Sequence, residues 1–457
     1  MSRKITINPV TRISGFLEIE VEILNRKIVD AKSSGMLFRG FETMLQGRDP
    51  LDAIYFTQRI CGICSTAHSM ASSFALENAL DVVPNENDKM IRDFIHGCEF
   101  IQNHIRHIYQ YTFPDFVKGP ELHPVYVVSH NDFRIPEKLN KRIAQDYVSS
   151  IKYSRMAHEM LAELGGKVPH NHGIFVGGAT VNMDISKYMK IKSILQDIKE
   201  FVVNTMIEDV EIVGKYYPEC FSQGIGYKNL MSYGCFDTYK ELERTYVSPK
   251  VWINEEEEGF EPDKITENIH YSWYEDGEPN RMKKDGYSWI KAPRYKGKPM
   301  EVGPLARMWL GGYYRRGISL MDRTIARAYE AKRIIEIMES LLERIHLEGS
   351  KQKIYNIPEK AIGKGLVDTT RGALGHWISI DSKKLGRYTI ITPSGWNLSP
   401  KDQKGIRGTL EKALIGTEIA DINHPVEIGR IVRSFDPCVS CATHVRGDYN
   451  SVEMIIG

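Results

Sequence analysis

The sequence predicts an α+β, mainly helical protein: a central bundle of long helices, an N-terminal β-hairpin and small peripheral sheets. Three observations predict it. Alternation of apolar and charged residues near the N-terminus reads as paired strands. Several long segments repeat apolar residues at three-and-four spacing, the mark of helices that bury one face. Between and after them, stretches rich in Gly, Pro, Tyr and Trp lose that period and read as short strands and loops. At 457 residues the chain exceeds an average domain. No repeat, low-complexity linker or clean boundary divides it, so it reads as one large domain over 1–457 with lobes.

Taken in order, Leu17, Ile19, Val21 and Ile23 alternate with Glu18, Glu20 and Glu22, and Asn25-Arg26 turns the chain into Lys27–Asp30. This is the hairpin lobe, 1–35. The helical core spans 50–216 and 305–349. Its predicted helices cover 64–80, 87–112, 138–164 and 186–215, with the longest over 314–348 and Gly349 as its stop. Long helices of this kind pack into a bundle. The lobe 217–304 breaks the pattern, and its acidic run, Glu255 to Glu258, reads as a solvated loop. Residues 353–435 read as short strands and loops, with a strand over Tyr388–Ile391, inside a C-terminal metal-site segment 353–444.

Composition excludes some functions. Lys and Arg total 60 against 59 Asp and Glu, a net charge of +1 that offers no electrostatic reason for a nucleic-acid or anionic-membrane partner. No apolar run reaches the roughly 18 residues of a membrane span. The first residues lack the apolar core of a signal peptide. Export or membrane attachment would therefore come through a partner, the alternative being a cytoplasmic protein.

Four of the seven cysteines stand in two Cys-x-x-Cys pairs, each followed by a histidine. The first is Arg59-Ile-Cys61-Gly-Ile-Cys64-Ser-Thr-Ala-His68. The second is Asp436-Pro-Cys438-Val-Ser-Cys441-Ala-Thr-His444. Cys98, Cys220 and Cys235 read as buried apolar thiols. Four thiolates select soft or borderline metals: zinc, iron, nickel or copper(I). A local zinc module keeps its pairs within about 15–20 residues, whereas these lie roughly 370 apart. A chain this long also needs no metal staple. Both a structural zinc site and a buried redox-active metal remain consistent with the spacing. Cys64 and His68 share a helix face, and Cys441 and His444 do so if that end is helical. A histidine beside a metal thiolate acts by hydrogen bonding to sulfur or by binding a neighbouring ion.

On these signatures the chain resembles the large subunit of nickel–iron hydrogenases, over almost its whole length. Further matching segments are Phe38-Arg39-Gly40-Phe41-Glu42, Lys291-Ala-Pro-Arg-Tyr, Glu301-Val-Gly-Pro-Leu-Ala-Arg307, Arg371-Gly-Ala-Leu-Gly-His376-Trp and Ser434-Phe-Asp436. The segments around Glu301 and before Cys438 look most like the respiratory, uptake-type branch. The resemblance implies reversible heterolytic cleavage of dihydrogen into protons and electrons. It implies a nickel held by Cys61, Cys64, Cys438 and Cys441, with Cys64 and Cys441 bridging to an iron that carries carbonyl and cyanide. Glu42 and His444 would bind a magnesium or iron ion near the C-terminus. His68 would hydrogen-bond to the Cys441 thiolate. Cys438 would act as base, Arg371 would overhang the open metal position, and Asp436 is retained beside it. With no spare cysteine cluster here, iron–sulfur clusters would sit in a partner small subunit, which could hand electrons to a membrane cytochrome or a ferredoxin-type acceptor. Nickel-insertion factors and a maturation endopeptidase are also implied. The endopeptidase would remove the thirteen residues 445–457 after His444.

Three positions depart from the family pattern. Ser14 stands where a proton-relaying glutamate is usual, Asn103 where an aspartate is usual, and Thr370 where a proline precedes the arginine. A serine can pass a proton along but cannot hold one as a carboxylate does. The competing class is a dihydrogen sensor or a non-catalytic metal-binding subunit of a larger redox complex. His170 and His172 read as structural or partner-facing, and His96, His104 and His107 as packed helical histidines.

Overall fold

The N-terminal alternation becomes a three-stranded antiparallel sheet, one strand more than the predicted hairpin. In the computed structural model, residues 2–119, 130–236, 246–351, 353–442 and 453–456 are described. Strands β1 (Arg3–Ile7), β2 (Leu17–Leu24) and β3 (Lys27–Gly35) pair in that order. Leu17, Ile19, Val21 and Ile23 are buried while the glutamates between them stay half-exposed. Asn25 and Arg26 both take positive φ, 50° and 64°, the geometry of a two-residue hairpin turn.

Helices then dominate. Short α1 (Phe41–Leu45) and α2 (Asp52–Gln58) precede α3 (Ser65–Leu80). Nearly every side of α3 is buried, which Ala and Ser permit because they let neighbours approach closely. Helix α4 (Glu86–Arg106) starts at Asn85, whose side chain accepts from Asp88 N at 2.9 Å, and runs into a π-turn over His107–Thr112. Helix α5 (Glu137–Gly165) stops at Gly166, φ 75°. A small hairpin, β4 (Ile174–Phe175) and β5 (Gly178–Ala179), leads to α6 (Ile185–Phe201) and, after a second π-turn, α7 (Ile207–Tyr216).

The lobe that follows holds β6 (Leu230–Ser232), β7 (Lys250–Ile253) and β8 (Glu256–Gly259) in one sheet, then β9 (Ile265–Asn268), the pair β10 (Tyr274–Glu275) and β11 (Glu278–Pro279), and β12 (Ala292–Tyr295). The acidic run is thus an edge strand and not a loop. All of β8 is exposed, and Glu257 and Glu258 pair with Lys250 and Lys296 at 2.8 Å each. Charge on an edge strand discourages pairing with another chain.

Helix α8 (Pro304–Leu310) precedes α9 (Leu320–Leu342), shorter at both ends than predicted. Ser319 sets the start by accepting from Asp322 N at 3.1 Å. At the far end, Asn87 of α4 bonds both His346 N (2.8 Å) and His346 O (3.2 Å), which satisfies that backbone outside the helix. Gly349 therefore does not serve as the stop. The longest helix is α5, with 29 residues.

Beyond it, β13 (Lys360–Thr369), β14 (Gly372–Asp381) and β15 (Lys384–Ile391) form an antiparallel sheet with longer strands than predicted. Helices α10 (Pro393–Asn397), α11 (Thr409–Leu414), α12 (Val426–Ser434) and α13 (Val439–Ala442) close this part, and β16 (Glu453–Ile456) pairs with β9. Residues 443–452, with His444 and most of the expected tail, lie outside the described residues.

The principal buried cluster runs from Val10 to Cys441 and includes all four paired cysteines. Two close approaches set the position of α3. An added Cβ at Gly365 of β13 would lie 2.0 Å from Ala71 O, and one at Gly363 would lie 2.2 Å from Ala75 O. Gly365→Ala is therefore expected to force β13 away from α3 and cost at least ~2 kcal/mol. Chemical denaturation would register the loss, and an unchanged midpoint would contradict this packing.

Candidate metal centre

The first cysteine pair is delivered by the start of α3. Cys64 is its N-cap residue, so its sulfur stands at the positive end of the helix dipole. Arg39 braces the preceding loop through Ile60 O (2.5 Å) and Arg59 O (3.0 Å). The buried carboxylate of Glu99 on α4 accepts from Thr66 N (2.7 Å) and Ala67 N (3.1 Å), capping backbone donors that a helix start leaves unpaired. Burial pushes the Glu99 carboxyl up to about 8, with those hydrogen bonds opposing the rise.

The second pair follows α12. Asp436 turns the chain at φ 52°, a left-handed conformation that Asp tolerates better than most residues. The N-terminal segment then clamps the turn. Ser14 N donates to Pro437 O (3.1 Å), and Val439 N donates to Ser14 O (2.8 Å). Gly15 is required here, since a Cβ would meet Ser440 N at 2.8 Å and its φ is +88°. Cys438 N donates to Ser394 Oγ at 2.9 Å.

The ends of the chain thereby meet. Cys61 Sγ is 3.4 Å from Cys438 Sγ, Cys64 Sγ is 3.2 Å from Cys441 Sγ, and the sulfurs of Cys438 and Cys441 are 2.8 Å apart. All four lie within 4.8 Å of one another and all are buried. An ion about 2.3 Å from each of four tetrahedral sulfurs needs separations of about 3.8 Å; the three contacts are shorter than this and all four sulfurs lie within 4.8 Å, so they are close enough to share one soft or borderline metal. Contacts from Cys438, Cys441 and Cys64 hold the Cys61 thiol well below its ordinary value, against the effect of burial, and Arg371 assists. The Cys64 thiol is pushed up by its contact with Cys438, and Cys441 by burial. Four buried thiols this close cannot all ionise without a cation among them.

Over the cluster lies a buried charge network. Arg371 Nε donates to Asp436 O (3.0 Å), and its Nη2 lies 3.0 Å from Asp436 Oδ1 and 3.1 Å from Asn103 Oδ1. Arg371 Nη1 is buried with no hydrogen-bond partner among the described residues. Asn103 Nδ2 donates to Asp436 Oδ2 (2.8 Å), and Arg106 donates to Asn103 Oδ1 (2.9 Å). Arg327 reaches both Asp436 (3.0 Å) and His104 (3.1 Å), and His104 meets Glu330 at 2.7 Å. Burial pushes Asp436 up, but Arg371, His107 and Arg327 outweigh it and hold the carboxyl far below the usual range. Burial works against the Arg371 charge, yet Asp436 and the cysteines keep it firmly protonated.

Most predicted site residues meet here: the four cysteines, Ser14, Asp436, Arg371 and Asn103. Ser14 Oγ is 3.6 Å from Cys438 Sγ. The His68 ring, on the first turn of α3, contacts His376 (Nδ1 to Nε2, 3.1 Å), a partner not foreseen. Glu42 is buried and accepts from Ile390 N at 2.6 Å, with Lys291 Nζ at 3.9 Å. His444 lies outside the described residues. Thr370 is buried. His172 is exposed and His170 half-buried, while His96, His104 and His107 are packed in the core; Cys98, Cys220 and Cys235 are buried free thiols as expected. Sequence reasoning missed Glu99, Arg327, Glu330 and Tyr388, none of which carries a local signal. His376 entered only as part of a matching segment.

A buried four-thiolate centre under an arginine–carboxylate pair, set in a mainly helical α+β fold, defines a metal-binding protein. The chain belongs to the nickel-dependent hydrogenase family, whose family model matches residues 39–123, 119–317 and 314–444. It is a hydrogenase, and the four cysteines are its nickel site. It is 35% identical to the periplasmic [NiFeSe] hydrogenase large subunit of Desulfomicrobium baculatum, covering 97% of this chain and 95% of that one. The quinone-reactive Ni/Fe-hydrogenase large chain of Wolinella succinogenes is 30% identical over 97% and 96% of the two chains. Hydrogenase-2 large chain of Escherichia coli (strain K12) is 29% identical over 97% and 98%. The structure of H2-activated D. baculatum [NiFeSe]-hydrogenase matches with a TM-score of 0.93 at 36% identity, over 97% of this chain and 100% of that chain. Selenium figures in the names of two of these relatives, whereas all four metal-site positions here are cysteine.

The buried histidines predict a pH dependence. Burial lowers His68 and His104 to about 4, and His96 and His107 to about 3. The unfolded chain takes up these protons near pH 6.5. Their contribution is therefore complete above about pH 6.5 and is lost as pH falls toward the folded values. Scanning calorimetry should show Tm dropping between pH 6.5 and 4, and a flat profile would contradict the neutral burial.

Proposed function

We propose that this chain is the catalytic large subunit of a nickel–iron hydrogenase that splits dihydrogen heterolytically and passes the electrons to a separate iron–sulfur subunit. The observation that carries the reading is the convergence of Cys61, Cys64, Cys438 and Cys441 within 4.8 Å, beneath Arg371. In this proposal all four cysteines hold nickel, and Cys64 and Cys441 also hold an iron with carbonyl and cyanide ligands. Glu42 and His444 hold a magnesium or iron ion. The nickel–iron pair supplies the Lewis acidity and electron-accepting capacity that so weak an acid as dihydrogen requires.

The chain's own residues do the rest. The cluster is buried, so water is kept from the reacting position and charges act at low dielectric. Arg371 keeps its charge and its orientation through Asp436 and Asn103, leaving Nη1 to polarise what lies above the sulfurs. Cys438 Sγ takes the proton. A proton on that sulfur has Ser14 Oγ as an acceptor 3.6 Å away. Ser14 is half-buried, so its hydroxyl stands between the cluster and the surface, where water can continue the relay.

Among the described residues no helix is long and apolar enough to cross a membrane. Membrane association in this proposal runs through the small subunit and its electron acceptor, and the tail 445–457 is removed during maturation. The alternative, a dihydrogen sensor or non-catalytic metal subunit, draws its support from Ser14 and Asn103, which replace carboxylates on the proton side.

Metal analysis with infrared spectroscopy tests the centre. Equimolar nickel and iron with carbonyl and cyanide bands are expected, and zinc alone in protein lacking the tail would defeat the proposal. Ser14→Ala should lower turnover about 10²-fold with metal content unchanged, and unaltered turnover would remove serine from the relay. Arg371→Lys should lower it by about 10²–10³ without loss of nickel.

A further inference from the structure

A line of buried hydrogen bonds leaves the metal centre in a direction the proposed chemistry does not use. It begins at His68, four residues after Cys64 on α3. His68 Nδ1 is 3.1 Å from His376 Nε2, and His376 Nδ1 is 2.9 Å from Tyr388 Oη on β15. His68 is 1% exposed, and His376 and Tyr388 are 0% exposed. His376 and Tyr388 stand on adjacent paired strands, with His376 opposite Ile390, so the sheet register holds the two groups together.

Two proton arrangements satisfy the nitrogen–nitrogen contact. In one, Tyr388 donates to His376 Nδ1 and His376 Nε2–H donates to His68 Nδ1. The other reverses both bonds. The reverse leaves the Tyr388 O–H without an acceptor, because His376 Nδ1 is its hydrogen-bond partner among the described residues. A buried hydroxyl left unpaired loses its solvation with nothing in exchange. The reverse also leaves a bare lone pair on Nε2 of His68, which lies one helical turn from Cys64 and within electrostatic reach of Cys61, where a donor is favoured. Both considerations select the first arrangement.

We infer that Tyr388, acting through His376, is a positioning residue that fixes His68 as its Nε2–H tautomer, so that His68 serves as a hydrogen-bond donor to the thiolate cluster. This rests on reading the four cysteines as the nickel–iron centre. The hydroxyl of one tyrosine on a sheet strand would then tune how much electron density the sulfurs give the metals, without touching them.

Tyr388→Phe removes only the hydroxyl. In protein labelled with ¹⁵N-histidine, the wild-type His68 signal should report a proton on Nε2, and Tyr388→Phe should show Nδ1–H in part of the population. The loaded variant should keep its nickel, shift its carbonyl band to lower wavenumber as the sulfurs become better donors, and lose up to about tenfold in turnover. Adding His376→Gln to Tyr388→Phe supplies an amide N–H at the same place and should restore the band. A wild-type His68 protonated on Nδ1, or a Tyr388→Phe variant with unmoved tautomer and band, would overturn the inference. The tautomer signal does not require the metals, so a wild-type protein without carbonyl bands would sink the nickel–iron reading and leave this test readable.

Discussion

Two main-chain hydrogen bonds, Ser14 N to Pro437 O and Val439 N to Ser14 O, join the two ends of this chain, and the metal centre exists because of them. Neither cysteine pair is a site alone, since each offers two sulfurs, and the contacts of Cys61 with Cys438 (3.4 Å) and of Cys64 with Cys441 (3.2 Å) cross between pairs. The clamped segment is the connection between β1 and β2, and Gly15 must lack a side chain for it to meet the turn at Pro437–Val439.

Above the sulfurs the fold accepts an expensive arrangement. Asp436, Arg371, Arg327, Arg307, Glu330 and Asp368 are all buried ions. Buried charges are tolerated when paired and hydrogen-bonded, and a partner removed from such a set leaves an uncompensated charge. Here every carboxylate meets at least one guanidinium: Asp436 meets Arg371 and Arg327, while Glu330 and Asp368 share Arg307. The network spans α4, α8, α9, β13 and the turn before Cys438. Arg371 is therefore oriented by groups from across the molecule.

Asn103 ties that network together. An amide gives Asp436 a donor and Arg371 and Arg106 an acceptor at once. It does so without adding a negative charge. Ser14 likewise places a neutral hydroxyl 3.6 Å from Cys438 Sγ. Neither an amide nor a hydroxyl stores a proton as a carboxylate does, so both residues serve alignment.

Helices α4 to α7 were legible in the sequence because one-sided burial imposes a 3.6-residue period, and α3 because its stretch is rich in Ala, Met and Leu. Strand β2 was legible because its sheet buries one face. Strand β1 was not, since Arg3–Ile7 is only five residues long and none of it is fully buried; the C-terminal end of α9 was not, because Asn87, over 250 residues away in sequence, draws His346 out of the helix. The cysteine pairs, Arg371 and Asp436 could be named from local patterns. Glu99, Arg327, Glu330 and Tyr388 could not, because their roles come from partners distant in the chain. The sequence by itself thus determined the donor atoms and the kind of metal they select, since ligand chemistry belongs to residue type. Only the tertiary structure decided that the two pairs meet, which groups orient Arg371 and where His68 is anchored. Those depend on distances between remote residues, which no local pattern encodes.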